Sequence, residues 1–129
     1  MKNAILAASA FLVLWSFHAK ADQVQEKEVI VGINGAFIPS GFDSTSDAYV
    51  VVSGIFQNGC YKWKRADIAN TGEFSHEVQS IASVSQGMCL MVLVPFQKEV
   101  RLGQLAKGHH TIRFISGDGT YLEKQMVVE

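Results

Sequence analysis

Two cysteines are the first residues of this sequence whose chemistry matters. Cys60 and Cys89 lie far apart, without the C-x-x-C spacing typical of redox-active or metal-binding thiols. An even number of cysteines in an exported domain is typical of a structural disulfide. We therefore predict a Cys60–Cys89 bond, and closing a loop of about 30 residues predicts a stabilisation of about 3 to 4 kcal/mol.

The N-terminal residues predict that export. Lys2 is followed by an almost unbroken apolar run from Ala4 to Phe17, and Ala19-Lys20-Ala21 matches the small-x-small pattern of a signal-peptidase site. The run is shorter than the roughly 20 residues that a membrane-spanning helix needs. We predict a cleaved signal peptide at residues 1–21, a single soluble domain at residues 22–129 with no membrane span, and a periplasmic or secreted location. The alternative is an anchor that is kept.

The charge of the mature chain argues against one class of partner. Removing Lys2 and Lys20 from the 11 basic residues leaves nine, against 12 acidic residues. A nucleic-acid-binding surface normally carries a basic excess, so we expect no nucleic-acid partner.

Histidines are the next candidates for chemistry. His76 and His110 each fall on the apolar side of a predicted strand, and His109 points to the opposite side from His110. We expect His76 and His110 to be partly buried and hydrogen-bonded, with no cofactor. The alternative is a copper or zinc site that uses one or both of them, with Met88 or Met91 as a soft ligand.

A basic and aromatic segment is the most suggestive surface feature. Alternation places its aromatic residues on one face and its first two lysines on the other. The segment could bind an acidic protein, a glycan or an anionic envelope polymer; alternatively its charges protect an edge strand while its aromatic rings cover the core. Phe42, in a polar loop, is a second candidate for recognition. The candidate binding surface is Phe42, Tyr61, Lys62, Trp63, Lys64 and Arg65.

Motifs for catalysis are missing from the sequence. It contains no G-x-S-x-G elbow and no paired-carboxylate motif, and Gly117-Asp118-Gly119 is typical of a hairpin turn rather than a phosphate-binding loop. Asp43 and Asp47 share a loop of turn-forming residues, which is only a weak calcium signal. We predict that the protein is not an enzyme.

The elements that position these residues are strands. Val29, Val31 and Ile33 share one parity; Ala48 to Phe56 is typical of a central strand covered on both sides; and the residues from Phe74 to Val84 alternate. No apolar stripe of helical period persists after the N-terminal run. Seven or so short strands predict an all-β, antiparallel β-sandwich.

Apolar runs predict the core of this sandwich. Met88 to Phe96 is a continuous apolar run that we interpret as a further strand, ended by Pro95 or lying at an edge. We expect Val51, Val92 and Ile112 to be core residues. The turn Ser116 to Gly119 predicts a hairpin with the strand that begins at Tyr121.

Two stretches carry a resemblance to a known group of proteins. The first is Gly54 to Tyr61; the second begins at Cys89 and continues through Pro95-Phe96, Val100, Leu102-Gly103, Leu105 and Gly108 to the strand His110 to Phe114. This pattern resembles small exported bacterial β-sandwich proteins with one disulfide. The resemblance implies an immunoglobulin-like fold and an exported location, but no activity.

These observations together lead to a functional hypothesis. We expect a non-catalytic binding or accessory module that contacts an unknown protein or envelope polymer, in the cell envelope or outside the cell. The alternatives are a sandwich-type protease inhibitor, which would present loops at one end, and a copper- or zinc-binding periplasmic protein.

Overall fold

A computed structural model describes residues 26–129, and the predicted signal peptide lies outside these residues. The described chain is all β, as predicted, with eight strands rather than about seven. They are β1 (Glu26–Val31), β2 (Gly35–Phe37), β3 (Ala48–Phe56), β4 (Tyr61–Gly72), β5 (Ser75–Ser85), β6 (Val94–Gly103), β7 (Gly108–Ile115) and β8 (Tyr121–Val128).

The first sheet is built around β5. Strand β4 pairs along one edge of β5, while β1 and β7 share the other edge, and β8 pairs with β7. Residues 75–78 of β5 pair with β7 in parallel, so the prediction of a purely antiparallel sandwich is wrong. The chain brings these two strands together through β6 of the other sheet, and such a crossover is what a parallel pair requires.

The second sheet has three strands in the order β2-β3-β6, with β3 in the centre. Along β3 burial alternates: Val50 and Val52 are fully buried, whereas Val51 and its neighbours of the same parity face outward and are half-buried. The prediction that β3 is covered on both sides, with Val51 in the core, is therefore wrong. A half-exposed outer face is the ordinary condition of an antiparallel sheet.

The core lies between the two sheets. Ile112 of β7 is fully buried there, as predicted, together with Val50, Val52 and Met126. Burying each such side chain contributes about 1.5 to 3 kcal/mol. A second cluster lies toward the end of the sandwich where β3 meets β4, and Phe56 stacks on Phe96 there with ring centroids 4.3 Å apart.

The apolar run at Met88 is not a strand over its whole length. Strand β6 begins only at Val94, and the eight preceding residues are a loop. Val92 lies in this loop and is exposed, so its assignment to the core is wrong. Pro95 lies near the start of β6, an edge strand, which is the kind of strand that tolerates proline.

The predicted hairpin at Ser116 to Gly119 is confirmed. It joins β7 to β8, and the N–H of Ser116 donates to the carbonyl of Thr120 across the turn. Gly119 has φ +86°, a left-handed conformation that glycine adopts without steric cost. Within residues 26–129 no helix is long and apolar enough to cross a membrane.

Candidate functional site

The predicted disulfide is confirmed, and it joins the β3–β4 turn to the loop before β6. The Cα atoms of Cys60 and Cys89 are 5.2 Å apart. Cys60 is buried, and its backbone N–H donates to the side-chain oxygen of Asn58 in the turn. Cys89 is half-buried within the loop. The bond therefore fixes this loop to a hydrogen-bonded turn of the sandwich.

The loop that the disulfide holds is an exposed apolar segment. We call residues 86–93 the apolar loop. Met88 is fully exposed, and the exposed fractions of the next large side chains are 75% for Leu90, 84% for Met91, 53% for Val92 and 69% for Leu93. Singly exposed apolar residues are ordinary on protein surfaces, whereas a contiguous exposed group of this kind is uncommon on a soluble protein.

A backbone contact supports the apolar loop beside the disulfide. The N–H of Gly59 donates to the carbonyl of Leu90 at 2.8 Å. A Cβ at position 59 would lie 3.2 Å from the Cβ of Leu90, so the close approach of the two chains favours glycine. The loop thus has two fixed points one residue apart, while its large side chains remain in solvent.

The aromatic residues of the predicted binding segment face inward. The ring of Tyr61 stacks on Phe56 at 5.8 Å, and Trp63 lies 5.7 Å from Phe96. Both rings are half-buried against the core. The aromatic side of β4 therefore covers the interior, which is the alternative that the sequence left open.

Two of the three basic residues of this segment are paired with a carboxylate. Glu28 of β1 accepts hydrogen bonds from Arg65 at 2.9 Å and from Lys64 at 2.5 Å. These bonds, first that of Arg65 and then that of Lys64, lower the pKa of Glu28 to about 2. Arg65 also contacts Asp67. Because these charges are satisfied on the outer face of the first sheet, they offer little to an acidic partner.

Lys62 differs from its neighbours because it borders an open cleft. The cleft holds about 490 Å³ between edge strands β4 and β6, where the two sheets separate. Trp63 and Phe96 contribute aromatic surface to it, and Lys62 and Lys98 contribute charge. Within residues 26–129, no carboxylate oxygen lies within 4.0 Å of either ammonium group. We call this feature the lysine cleft.

Phe42 is half-buried rather than exposed. Its ring is half-buried, packs against the main core and meets Tyr49 edge to face at 5.4 Å. Its carbonyl accepts a hydrogen bond from Glu129 at the end of β8. An aromatic residue in a polar loop looks exposed in sequence, but here the loop folds back over the open edge of the sandwich.

His76 and His110 lie side by side in the interior. Their rings stack with centroids 5.0 Å apart, and Nε2 of His76 lies 2.8 Å from Nδ1 of His110. The outer nitrogens have partners as well: Nδ1 of His76 lies 2.6 Å from the side chain of Asn70, and Nε2 of His110 lies 2.6 Å from the carbonyl oxygen of Ala106. Burial and then the adjacent His110 lower the pKa of His76.

The carbonyl oxygen of Ala106 determines which nitrogens of the two histidine rings carry protons. The carbonyl of Ala106 can only accept, so Nε2 of His110 carries a proton. If both rings are neutral, Nε2 of His76 donates to Nδ1 of His110, and the amide nitrogen of Asn70 donates to His76. If the oxygen of Asn70 faces His76 instead, the pair carries one extra proton.

This arrangement bears on the metal hypothesis. All four ring nitrogens are engaged in hydrogen bonds, so none presents a free lone pair to an ion. No group of three potential ligand residues occurs between Glu26 and Glu129. The pair is best explained as a buried polar link between β5 and β7, whose polar atoms must be satisfied because they are out of water.

The aspartates of the polar loop also have local partners. Asp43 accepts hydrogen bonds from the backbone and hydroxyl of Thr45 and from Ser46, and these bonds lower its pKa. Asp47 forms an ion pair with Arg101. The loop is therefore a turn stabilised by its own side chains.

The apolar loop is the feature that sequence reasoning misjudged. The continuous apolar character of its residues predicts a strand that ends at Pro95 or lies at an edge, with Val92 in the core. One available signal was the absence of any charged residue from position 78 to 97, combined with glycine at position 87 and a cysteine inside the run. An uncharged apolar run with these residues is compatible with a disulfide-held loop as well as with a buried strand.

Comparison with known proteins identifies the family of this chain. A family model described as the ORF11 beta-sandwich domain matches residues 50–128, more than half of the chain. The matched segment includes both cysteines, the apolar loop and the two buried histidines. No curated protein and no solved structure matches the chain.

Proposed function

The chain belongs to the ORF11 beta-sandwich domain family, and we propose that it is a non-catalytic, exported binding module whose contact surface is the apolar loop. One observation carries the proposal: five large apolar side chains project into solvent from a loop that a disulfide holds in place. Leaving such side chains in water forgoes about 1.5 to 3 kcal/mol each, which a binding partner recovers.

The proposal includes where the module works. A disulfide is compatible with an oxidising compartment, and the N-terminal residues have the pattern of a signal peptide that ends at Ala21. We therefore propose that the mature protein is located in the periplasm or outside the cell. Its fold in this proposal is an immunoglobulin-like sandwich that displays the apolar loop at one end.

Photocrosslinking in the cells that produce the protein tests the proposal. A photoreactive phenylalanine analogue replaces Met91 in the apolar loop, and a matched variant carries it at Val127, an exposed apolar residue of β8. We expect covalent adducts, to protein or lipid, at position 91 and few at position 127. Equal yields at both positions would show that the loop is not a contact surface.

Protease inhibition is a second candidate that one observation favours. An exposed loop braced by a disulfide resembles the rigid loops that inhibitors present to an active-site cleft. An inhibitor would block a chymotrypsin-like or subtilisin-like protease at a stoichiometry near one, and Leu90→Asp would abolish the inhibition. Rapid cleavage within residues 86–93 without inhibition would exclude this candidate for the protease used.

A further inference from the structure

The apolar loop and the start of β1 lie at the same end of the domain. Glu26, the first residue of β1, pairs with Ser85, the last residue of β5, and the apolar loop begins at the next residue. The chain before residue 26 therefore joins the domain beside the apolar loop.

The number of residues between the N-terminal apolar run and β1 limits the distance between them. The apolar run ends at Phe17, and eight residues separate it from β1. Fully extended, they reach less than about 30 Å. Before signal cleavage, a bilayer that holds the apolar run would therefore lie within about 30 Å of the start of β1, beside the apolar loop.

The apolar loop exposes consecutive large side chains. Leu90, Met91, Val92 and Leu93 are consecutive, and each is more than half exposed. A flat protein partner covers one side of such a segment and leaves the other in water. The headgroup and acyl boundary of a bilayer can contact all of these side chains while the loop backbone stays near water, and the loop has no charged residue that would oppose insertion.

The distance from the apolar loop to the lysine cleft matches the depth to which interfacial segments are buried. Lys62 pairs with Ser83, which at about 3.3 Å per residue is about 7 Å from the end of β5 and about 10 Å from the first residue of the loop. Interfacial segments bury their apolar part by about 5 to 10 Å, which places such a lysine among the headgroups. Lys98 lies four residues into β6, farther from the loop. Glu26 and Lys27, beside the loop on β1, cancel in charge.

We infer that the apolar loop inserts into the surface of a phospholipid bilayer while Lys62 and Lys98 contact the phosphates of anionic lipids. The inference rests on the proposed function and names the partner of the same loop. It requires no membrane-spanning segment in the mature protein.

Vesicle binding tests the inference with the protein in the form that its producing cells release. The probes are vesicles of phosphatidylcholine alone and of phosphatidylcholine with phosphatidylglycerol. The loop variant is Leu90→Ser/Met91→Ser; the matched control is Phe37→Ser/Val127→Ser, which removes exposed apolar side chains elsewhere. We expect roughly tenfold weaker binding per loop substitution, and wild-type binding by the control.

The lysines are tested separately. Lys62→Gln/Lys98→Gln should lower binding to the anionic vesicles to the level of phosphatidylcholine alone, while Lys107→Gln, an exposed lysine elsewhere, should bind as the wild type does. Anionic preference that survives in the double variant would overturn the role of the lysines.

A fluorescence measurement reports on the loop even if another segment also attaches to vesicles. Tryptophan at position 91 (Met91→Trp) should shift to shorter wavelength with vesicles and be quenched by brominated acyl chains, in excess of the change in Val127→Trp, because both variants keep Trp63 in the lysine cleft. Absence of both effects at position 91 would overturn the inference. Protein adducts at position 91 in the crosslinking experiment, without vesicle binding, would leave the proposed function standing and remove only the bilayer.

Discussion

Removing the disulfide should cost the domain much of its stability. The bond joins residues 29 apart in sequence, and the chain-entropy relation gives about 3.6 kcal/mol for a closed loop of that size. Cys60→Ala/Cys89→Ala avoids leaving a buried thiol or hydroxyl at position 60. Since domains of this size have free energies of unfolding of about 5 to 15 kcal/mol, the variant should remain folded but unfold at a much lower urea concentration.

The assay is equilibrium unfolding in urea, followed by the fluorescence of Trp63. The wild-type protein under reducing conditions is the matched control, because it loses the bond without changing a side chain. Both forms should lose about the same free energy of unfolding. A loss below about 1 kcal/mol in both would refute the reasoning, since it would mean that the unfolded chain gains little freedom when the bond is absent.

Three further predictions follow from positions in the core. Val52→Ala should lower the free energy of unfolding by about 1.5 to 3 kcal/mol, and Val51→Ala should lower it by less than about 1 kcal/mol, because only Val52 faces the interior. Urea unfolding measures both, and equal losses would contradict the burial pattern. Gly54→Ala places a Cβ 2.5 Å from the ring of Phe96. The variant should therefore lose about 1 to 3 kcal/mol of its free energy of unfolding, and the fluorescence of Trp63, which packs on that ring, should shift. An unchanged stability would show that the ring moves freely. Because the pKa of His76 is lowered in the folded state, the unfolded chain binds more protons as pH falls below about 6.5, so the free energy of unfolding should fall between pH 7.5 and 5.5. His76→Gln should reduce this slope and the exposed His109→Gln should not; an unchanged slope in His76→Gln would assign the effect to other groups.

The sequence predicted what depends on local pattern. Alternation placed His76, His110 and Ile112 on inward-facing positions, and the turn residues from Ser116 located the last hairpin correctly. The Cys60–Cys89 bond followed from cysteine number and the predicted export.

The structural feature that the sequence did not predict is which strands are neighbours in the sheets. The parallel pairing of β5 with β7 joins segments far apart in sequence, so nothing in the local pattern of either strand indicated it. The same pairing brings His76 against His110, a contact that neither residue reveals alone. Val92 was misplaced because periodicity cannot distinguish a buried apolar run from an exposed one.

The central claim is that the apolar loop is covered by a partner where the protein works. Methionine oxidation tests it with an internal control, since Met88 and Met91 lie exposed in the loop and Met126 is buried in the core. Brief peroxide treatment followed by peptide mass spectrometry gives the rate of sulfoxide formation at each residue. In the purified protein, Met88 and Met91 should oxidise much faster than Met126. In the producing cells the account predicts a severalfold slower rate at Met88 and Met91 only, and equal rates in cells and in purified protein would contradict it.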